Sequence, residues 1–260
     1  MLLDPRNGPD FDLPPDTGPR QAYVLASVPR SGSTLLARAL WEAGGVGAPK
    51  EYLNPMQIRD WEVRLGASAA RRGLHRLLRG PLLPLAGRGR WPRERLAGHL
   101  ERVRARRSSG GWFGLKLHHH HFRHWFGDRG WDPEAMLGPI TWVRVLREDR
   151  EAQAVSWARA LQTGQWASWQ DPRRTARYDA RLVRRCLVAI ARQEAGWEAW
   201  LDARGAAVHV VRYEALVADW EGTVGALLAH LGREGAGVPA PSLARQADEV
   251  SEAWLRRLRG

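Results

Sequence analysis

Apolar positions along the chain switch between two spacings. Residues 22–28 read AYVLASV, an unbroken β-prone run closed by Pro29, which is the pattern of a parallel strand covered on both faces. Directly after it, SGSTLLARALWEAGG turns to helical spacing, with Leu35, Leu36, Ala39 and Leu40 on one face and Gly44 and Gly45 as the stop. Three more runs have strand character: WFGLKL at 112–117, ITWVRVLR at 140–147 and AVHVVRY at 207–213. Helical spacing returns over 150–163, 178–203 and 220–231, and SLARQADEVSEAWLRRLR closes the chain as a further helix. Strands alternating with helices predict an α/β fold with a mostly parallel central sheet flanked by helices. At 260 residues and 44% hydrophobic composition, one domain over 21–260 accommodates all of these elements.

Two stretches fit neither spacing. Residues 1–20 are rich in Pro, Asp and Gly and offer no periodic apolar face, so they read as a flexible or draped N-terminal arm. Residues 67–107 are arginine-rich among Leu, Gly and Pro, and read as a solvated basic helical insertion or lid. Arg, Gly or Pro interrupts every hydrophobic run before it reaches membrane-spanning length, and the N-terminus lacks the basic flank and apolar core of a secretory signal. The expected location is therefore the cytoplasm.

Composition narrows the chemistry only partly. Forty Lys+Arg against 28 Asp+Glu give a formal net charge of +12, which attracts nucleic acid, anionic membrane or a polyanionic small molecule alike. Lysine occurs only at Lys50 and Lys116. The single cysteine, Cys186, rules out an intrachain disulfide and sits in an apolar run as a packed thiol would.

The sharpest chemical signal is VPRSGSTLLARAL, a loop between a buried strand and a helix. Gly32 permits a backbone turn that lets consecutive N–H groups converge, and the helix N-terminus adds the positive end of its dipole. Arg30 brings a full positive charge, while Ser31, Ser33 and Thr34 bring hydroxyl donors, a set suited to phosphate or sulfonate oxygens. A Walker loop requires G-x-x-x-x-G-K-[ST]; here the first glycine and the lysine are both missing, which disfavours a nucleotide triphosphatase. The bland alternative is a serine that caps the helix beside a turn glycine.

The segment YVLASVPRSGSTLLARALWEAGGVGAPKEYLNP resembles the opening of the bacterial trehalose sulfotransferase family, and later segments carry the likeness from about residue 22 to residue 255. The resemblance implies a P-loop-like sulfotransferase fold. It also implies transfer of a sulfonate group from 3′-phosphoadenosine 5′-phosphosulfate (PAPS) to a hydroxyl of a small, carbohydrate-like or other metabolite acceptor, releasing 3′,5′-ADP. In that family the R-S-G-S-T-L-L loop holds the 5′-phosphosulfate, which assigns Arg30, Ser31, Gly32, Ser33 and Thr34. Arg147 at a strand end and Ser156 nine positions later match the residues used for the 3′-phosphate; pairing of Arg147 with Asp149 or Glu151 is the alternative. Glu51 matches the general base, and its burial is expected to raise its pKa; an ion pair with Lys50 is the alternative. Lys116 matches a family lysine and is expected either to face the sulfonate or to snorkel from a strand end. Arg245 is a basic C-terminal residue of the kind that closes over PAPS, or else pairs with Asp248. Where the family carries an acidic residue three positions before its glutamate, this chain has Ala48, which counts against trehalose itself as the acceptor. A homodimer and no metal are implied as well.

Three further features bear on the assignment. The run His118, His119, His120, His121 replaces a more apolar family segment; successive helical residues point apart, so the four cannot all ligate one ion, and one or two of them suit an acceptor pocket. Trp166 and Trp169, in QTGQWASWQ, are placed to stack on a sugar or the adenine, whereas Trp157, Trp197 and Trp200 sit at core spacing. The rival functions are a P-loop-like kinase using ATP and a non-catalytic polyanion or nucleic-acid binder resting on 67–107. The missing lysine counts against the first, and no nucleic-acid partner is expected because RNP-type aromatics and zinc spacings are absent.

Overall fold

The continuous apolar run becomes strand β1 (Gln21–Ser27), in which every residue after Gln21 is buried. It stands in the middle of a five-stranded sheet, where a strand needs apolar side chains on both faces. The structure, a computed structural model, describes residues 2–16, 18, 20–66, 91–166, 170–242 and 249–260. After β1 the elements run α1 (Ser33–Ala43), α2 (Pro55–Arg64), α3 (Arg93–Arg107), β2 (Ser108–Ser109), β3 (Trp112–His118), α4 (His119–Trp125) and α5 (Glu134–Leu137). They continue with β4 (Ile140–Leu146), α6 (Arg150–Thr163), α7 (Ala180–Asp202), β5 (Val208–Arg212), α8 (Tyr213–Ala218), α9 (Trp220–His230) and α10 (Glu249–Arg259). The strand order is β2-β3-β1-β4-β5; the sheet is mostly parallel and flanked by helices, as the alternation of spacings predicts, with β2 antiparallel to β3. No helix among the described residues is long and apolar enough to cross a membrane.

Two compact units divide the chain: Met1–Val24 with Gly44–Thr141, and Leu25–Ala43 with Trp142–Gly260. In the second unit, α6 starts on Asp149, whose carboxylate accepts the Ala152 N–H at 2.8 Å, and stops at Gly164 in the left-handed region. Helix α7 starts on Asp179, which caps the Arg181 and Leu182 amides, and buries Val183, Cys186, Ile190, Gln193, Trp197 and Leu201 at three- and four-residue intervals. The Trp197 indole N–H donates to the Ser27 carbonyl at 2.9 Å, fastening that helix to the end of β1.

The first unit departs from expectation in its basic stretch. Residues 67–90 lie outside the described residues. Residues 93–107 form α3, which is not a solvated excursion: Leu96, His99, Leu100 and Val103 are buried, and Arg107 is fully buried. The Arg107 guanidinium donates to the Arg6, Gly8 and Phe11 carbonyls, so a cation that reads as surface decoration in sequence holds the N-terminal segment from below. Short 3-10 turns at Pro5–Asn7 and Pro9–Phe11 shape that segment. Asp60, on α2 and fully buried, accepts from the Leu3 and Asp4 amides at 2.8 Å and from the Asn7 side chain at 3.0 Å. A segment without an apolar face is thus tethered by charge-assisted hydrogen bonds. Asp60→Ala should lower stability by about 3 kcal/mol, since one buried and two partly buried donors lose a charged acceptor at once. Urea unfolding measures this, and a loss below about 1 kcal/mol would mean that water replaces the carboxylate.

Candidate active site

Within the second unit, the turn between β1 and α1 carries two unusual backbone conformations in three residues. Arg30 has φ +67°, the one described non-glycine residue in the left-handed region, and Gly32 has φ +84°. A Cβ on Gly32 would lie 2.6 Å from Cδ2 of Tyr213, so glycine is required there by conformation and by space. The turn leads into the first turn of α1, whose N–H groups have no partner within the helix. Ser31 and Ser33 are both buried, and the Ser31 hydroxyl has no hydrogen-bond partner among the described residues. A buried hydroxyl left unsatisfied beside a helix N-terminus marks a place where a bound oxyanion completes the bonding.

Ser156 and Arg147 belong to the same neighbourhood. The Arg30 Nε–H donates to Ser156 Oγ at 2.9 Å, and its Nη1 donates to the Trp166 carbonyl at 2.5 Å. The Arg147 guanidinium lies over the Tyr213 ring, 4.6 Å from its centroid, and its Nη1 reaches the Arg30 carbonyl at 3.4 Å. Burial, followed by the Arg147 and Arg159 charges, pushes the Arg30 guanidinium down to about 10, partly offset by Tyr213. The fold therefore gathers mutually repelling cations around a strained turn, an arrangement that a multivalent anion relieves. Asp149 and Glu151, the alternative partners for Arg147, both take Arg259, at 3.4 and 2.6 Å. Trp166 serves this site through its backbone carbonyl; Trp169 and Arg245, with its alternative partner Asp248, fall outside the described residues.

The first unit holds a carboxylate in a cationic cage. Lys50 forms a parallel bridge with Leu115 of β3, and its carbonyl accepts the Lys116 N–H at 3.0 Å, which sets the next residue, Glu51, beside that strand. Glu51 Oε1 lies 2.7 Å from Lys116 Nζ and 3.2 Å from His118 Nε2, and Oε2 accepts from the Asn54 amide at 2.8 Å. Lys116 is buried and points into the fold, so it does not snorkel. The expected rise in the Glu51 pKa is overturned. Burial does push it up, but the Lys116 ammonium and then His118 outweigh burial and hold the carboxyl well below its usual range. Lys50 is not its partner; its ammonium binds Asp4 at 3.0 Å and Asn7 at 2.7 Å, and burial lowers it to about 8.

The histidine run spans an element boundary: His118 ends β3, and His119, His120 and His121 open α4. His118 faces Glu51, and the His120 and His121 rings meet at 4.0 Å. Burial and then His120 hold His121 well below the ordinary histidine range. Among the described residues no group of three or more His, Cys, Asp or Glu side chains is arranged to hold a metal ion. At the position before the glutamate where the family carries an acid, Ala48 is fully buried; its carbonyl accepts the Tyr52 hydroxyl and its N–H bonds the Arg107 carbonyl at 2.9 Å. Sequence reasoning missed Tyr213, Arg159 and Asn54 as parts of these sites, while His118 belongs to the run it had set aside for an acceptor pocket. Tyr213 had a usable signal, since it directly follows a strand, where α/β sheets place their ligand-contacting residues.

Residues 22–260 match the family described as Stf0 sulphotransferase. A trehalose 2-sulfotransferase of Mycolicibacterium smegmatis is 29% identical over 271 residues, covering 92% of this chain and 94% of its own. A trehalose 2-sulfotransferase of Mycobacterium tuberculosis is 28% identical over 260 residues, covering 91% and 94%. Among solved structures, the sulfotransferase domain from the Synechococcus PCC 7002 olefin synthase aligns over 95% of this chain and 97% of that one, with 17% identity and a TM-score of 0.42.

Proposed function

This chain belongs to the Stf0 sulphotransferase family, and from that premise we propose that it transfers a sulfonate group from PAPS to a hydroxyl of a small carbohydrate-like or other metabolite acceptor, releasing 3′,5′-ADP. The observation that carries the donor reading is the strained turn with its unsatisfied Ser31 hydroxyl, beside three guanidinium groups. A donor with phosphates at both the 5′ and 3′ positions supplies enough negative charge to relieve that cationic cluster. The loop residues Arg30, Ser31, Gly32, Ser33 and Thr34 would hold the 5′-phosphosulfate, and Arg147 with Ser156 the 3′-phosphate.

In the transfer, Glu51 takes the proton of the acceptor hydroxyl as its oxygen bonds to sulfur, and the bond from sulfur to the 5′-phosphate oxygen breaks. The electron pair leaves on 3′,5′-ADP, whose growing charge the Arg30 loop neutralises. A carboxylate held below its usual pKa is a weak base in water, so its contribution is positional: it is ionised at neutral pH and fixed by Lys116, His118 and Asn54. Lys116, which matches a family lysine, is assigned to face the sulfonate in this reading. The relatives named as trehalose 2-sulfotransferases support a sugar-like acceptor, while Ala48 argues for one recognised differently from trehalose.

Incubation with 35S-labelled PAPS and a panel of trehalose, glucose, nucleosides and simple alcohols tests the reading. One member should gain the mass of one sulfonate with stoichiometric 3′,5′-ADP. Transfer of phosphate from ATP to the same panel, with none from PAPS, would replace this reading by a kinase.

A further inference from the structure

Strand β5 ends against β4 in a parallel register in which Leu146 faces Arg212. The next residue on each strand, Arg147 and Tyr213, therefore emerges side by side beyond the ladder. Tyr213 touches both halves of the donor region. Its ring edge occupies the space next to Gly32, and its face carries the Arg147 guanidinium at 4.6 Å. Glu214 completes the contact from the same turn: its carboxylate accepts the Glu148 and Asp149 amides at 3.1 and 3.3 Å, fixing the backbone directly after Arg147. Glu148 is in turn paired with Arg212 at 3.0 Å. Nothing in the chemistry of sulfonate transfer requires a tyrosine or glutamate here, yet both side chains bear on the two anion-binding segments.

We propose that Tyr213 and Glu214 are positioning residues that lock the Arg30–Gly32 turn and the Arg147 turn into one donor site, so that both phosphates of the donor are read at a fixed separation. This rests on the donor reading given above. The ring acts as a wedge: it backs Gly32, which has no side chain of its own to hold the turn, and it orients a guanidinium through its face. The carboxylate acts on the Arg147 side alone, which gives the two residues distinguishable consequences.

Calorimetric titration of the full chain with 3′,5′-ADP and with 5′-AMP separates them without any acceptor. Tyr213→Phe keeps the ring and should bind 3′,5′-ADP within about twofold of the unsubstituted protein, because the contacts with Gly32 and the Arg147 guanidinium are made by the ring. Tyr213→Leu should weaken 3′,5′-ADP on the order of 10²-fold, the scale of one lost charge-assisted bond to phosphate. Glu214→Gln should weaken 3′,5′-ADP about 10-fold while leaving 5′-AMP nearly unchanged, since only the 3′-phosphate depends on Arg147. The inference is overturned if Tyr213→Leu binds as tightly as the unsubstituted chain, or if Tyr213→Phe loses as much as Tyr213→Leu. Equal losses of 3′,5′-ADP and 5′-AMP binding in Glu214→Gln overturn it too, and that variant decides the matter should Tyr213→Leu fail to fold. If the unsubstituted chain itself does not bind 3′,5′-ADP, the donor reading fails first and takes this inference with it.

Discussion

Glu51→Gln is expected to lower the rate of sulfonate transfer on the order of 10³-fold, within the range that a positioned general base supplies, while 3′,5′-ADP binds as before. Glutamine keeps the shape of glutamate and can still meet Asn54 and His118, but it cannot accept a proton from an alcohol. It also leaves the buried Lys116 ammonium facing a neutral amide, so a fall in thermal stability accompanies the fall in rate. The two effects separate on titration with 3′,5′-ADP, because the proposed donor-binding residues all lie in the second unit. Transfer at the unsubstituted rate by a variant that binds 3′,5′-ADP normally would remove Glu51 from the role of base.

The pH dependence follows from the direction of the Glu51 shift. Its folded pKa is depressed, so both its ionised, active form and the stability of its pair with Lys116 are present throughout the range above an ordinary carboxylate pKa. Both are lost only as pH falls through the depressed folded value. The rate profile should therefore show no acid limb from Glu51 near pH 4 to 5, where an unperturbed glutamate at about 4.3 would produce one. Had burial won over Lys116, the limb would stand above that value. Sequence inspection could not decide between the two, since Lys116 lies 65 positions from Glu51 and only the pairing of Lys50 with β3 brings them together.

That contrast locates the boundary of what the chain discloses when read as a string. The strands β1, β3, β4 and β5 and the helices α6, α7 and α9 were legible to within a few residues, because each carries its own periodicity and a local cap or stop, such as Asp149 and Gly164 around α6. The turn at 30–34 was legible for the same reason: strand, glycine and helix start are contiguous. Helix α3 was misjudged because its arginines look solvated, whereas Arg107 is buried against carbonyls contributed by residues about a hundred positions earlier. The polar tethering of the N-terminal segment by Asp60 was invisible for a related reason. A lone carboxylate in MQIRDWEV announces no partner, and its donors are backbone amides that any sequence would offer. Tyr213 and Glu214 show the intermediate case, where position after a strand hints at a site but only the β4 to β5 register says which residues they serve.

Arg30→Gly is the second substitution with a large expected effect, and it should separate stability from binding. Arginine at φ +67° carries a conformational cost of about 1 to 2 kcal/mol that glycine does not. Glycine relieves that strain but loses the bonds to Ser156 and the Trp166 carbonyl and adds its own chain entropy, so the thermal midpoint should stay within a few degrees of the unsubstituted protein. Affinity for 3′,5′-ADP should nevertheless fall about 10²- to 10³-fold, because each charge-assisted bond from a guanidinium to a phosphate contributes about 1.5 to 3 kcal/mol. Arg30→Lys keeps the charge but neither the fork that reaches two partners at once nor the relief of strain, so it should fall between the two in affinity and below both in stability. A left-handed arginine persists only where its surroundings over-determine it, and such strain clusters at ligand sites. If Arg30→Gly binds 3′,5′-ADP as tightly as the original chain, that requirement is not donor binding, and the cationic turn at the end of β1 loses its assigned purpose.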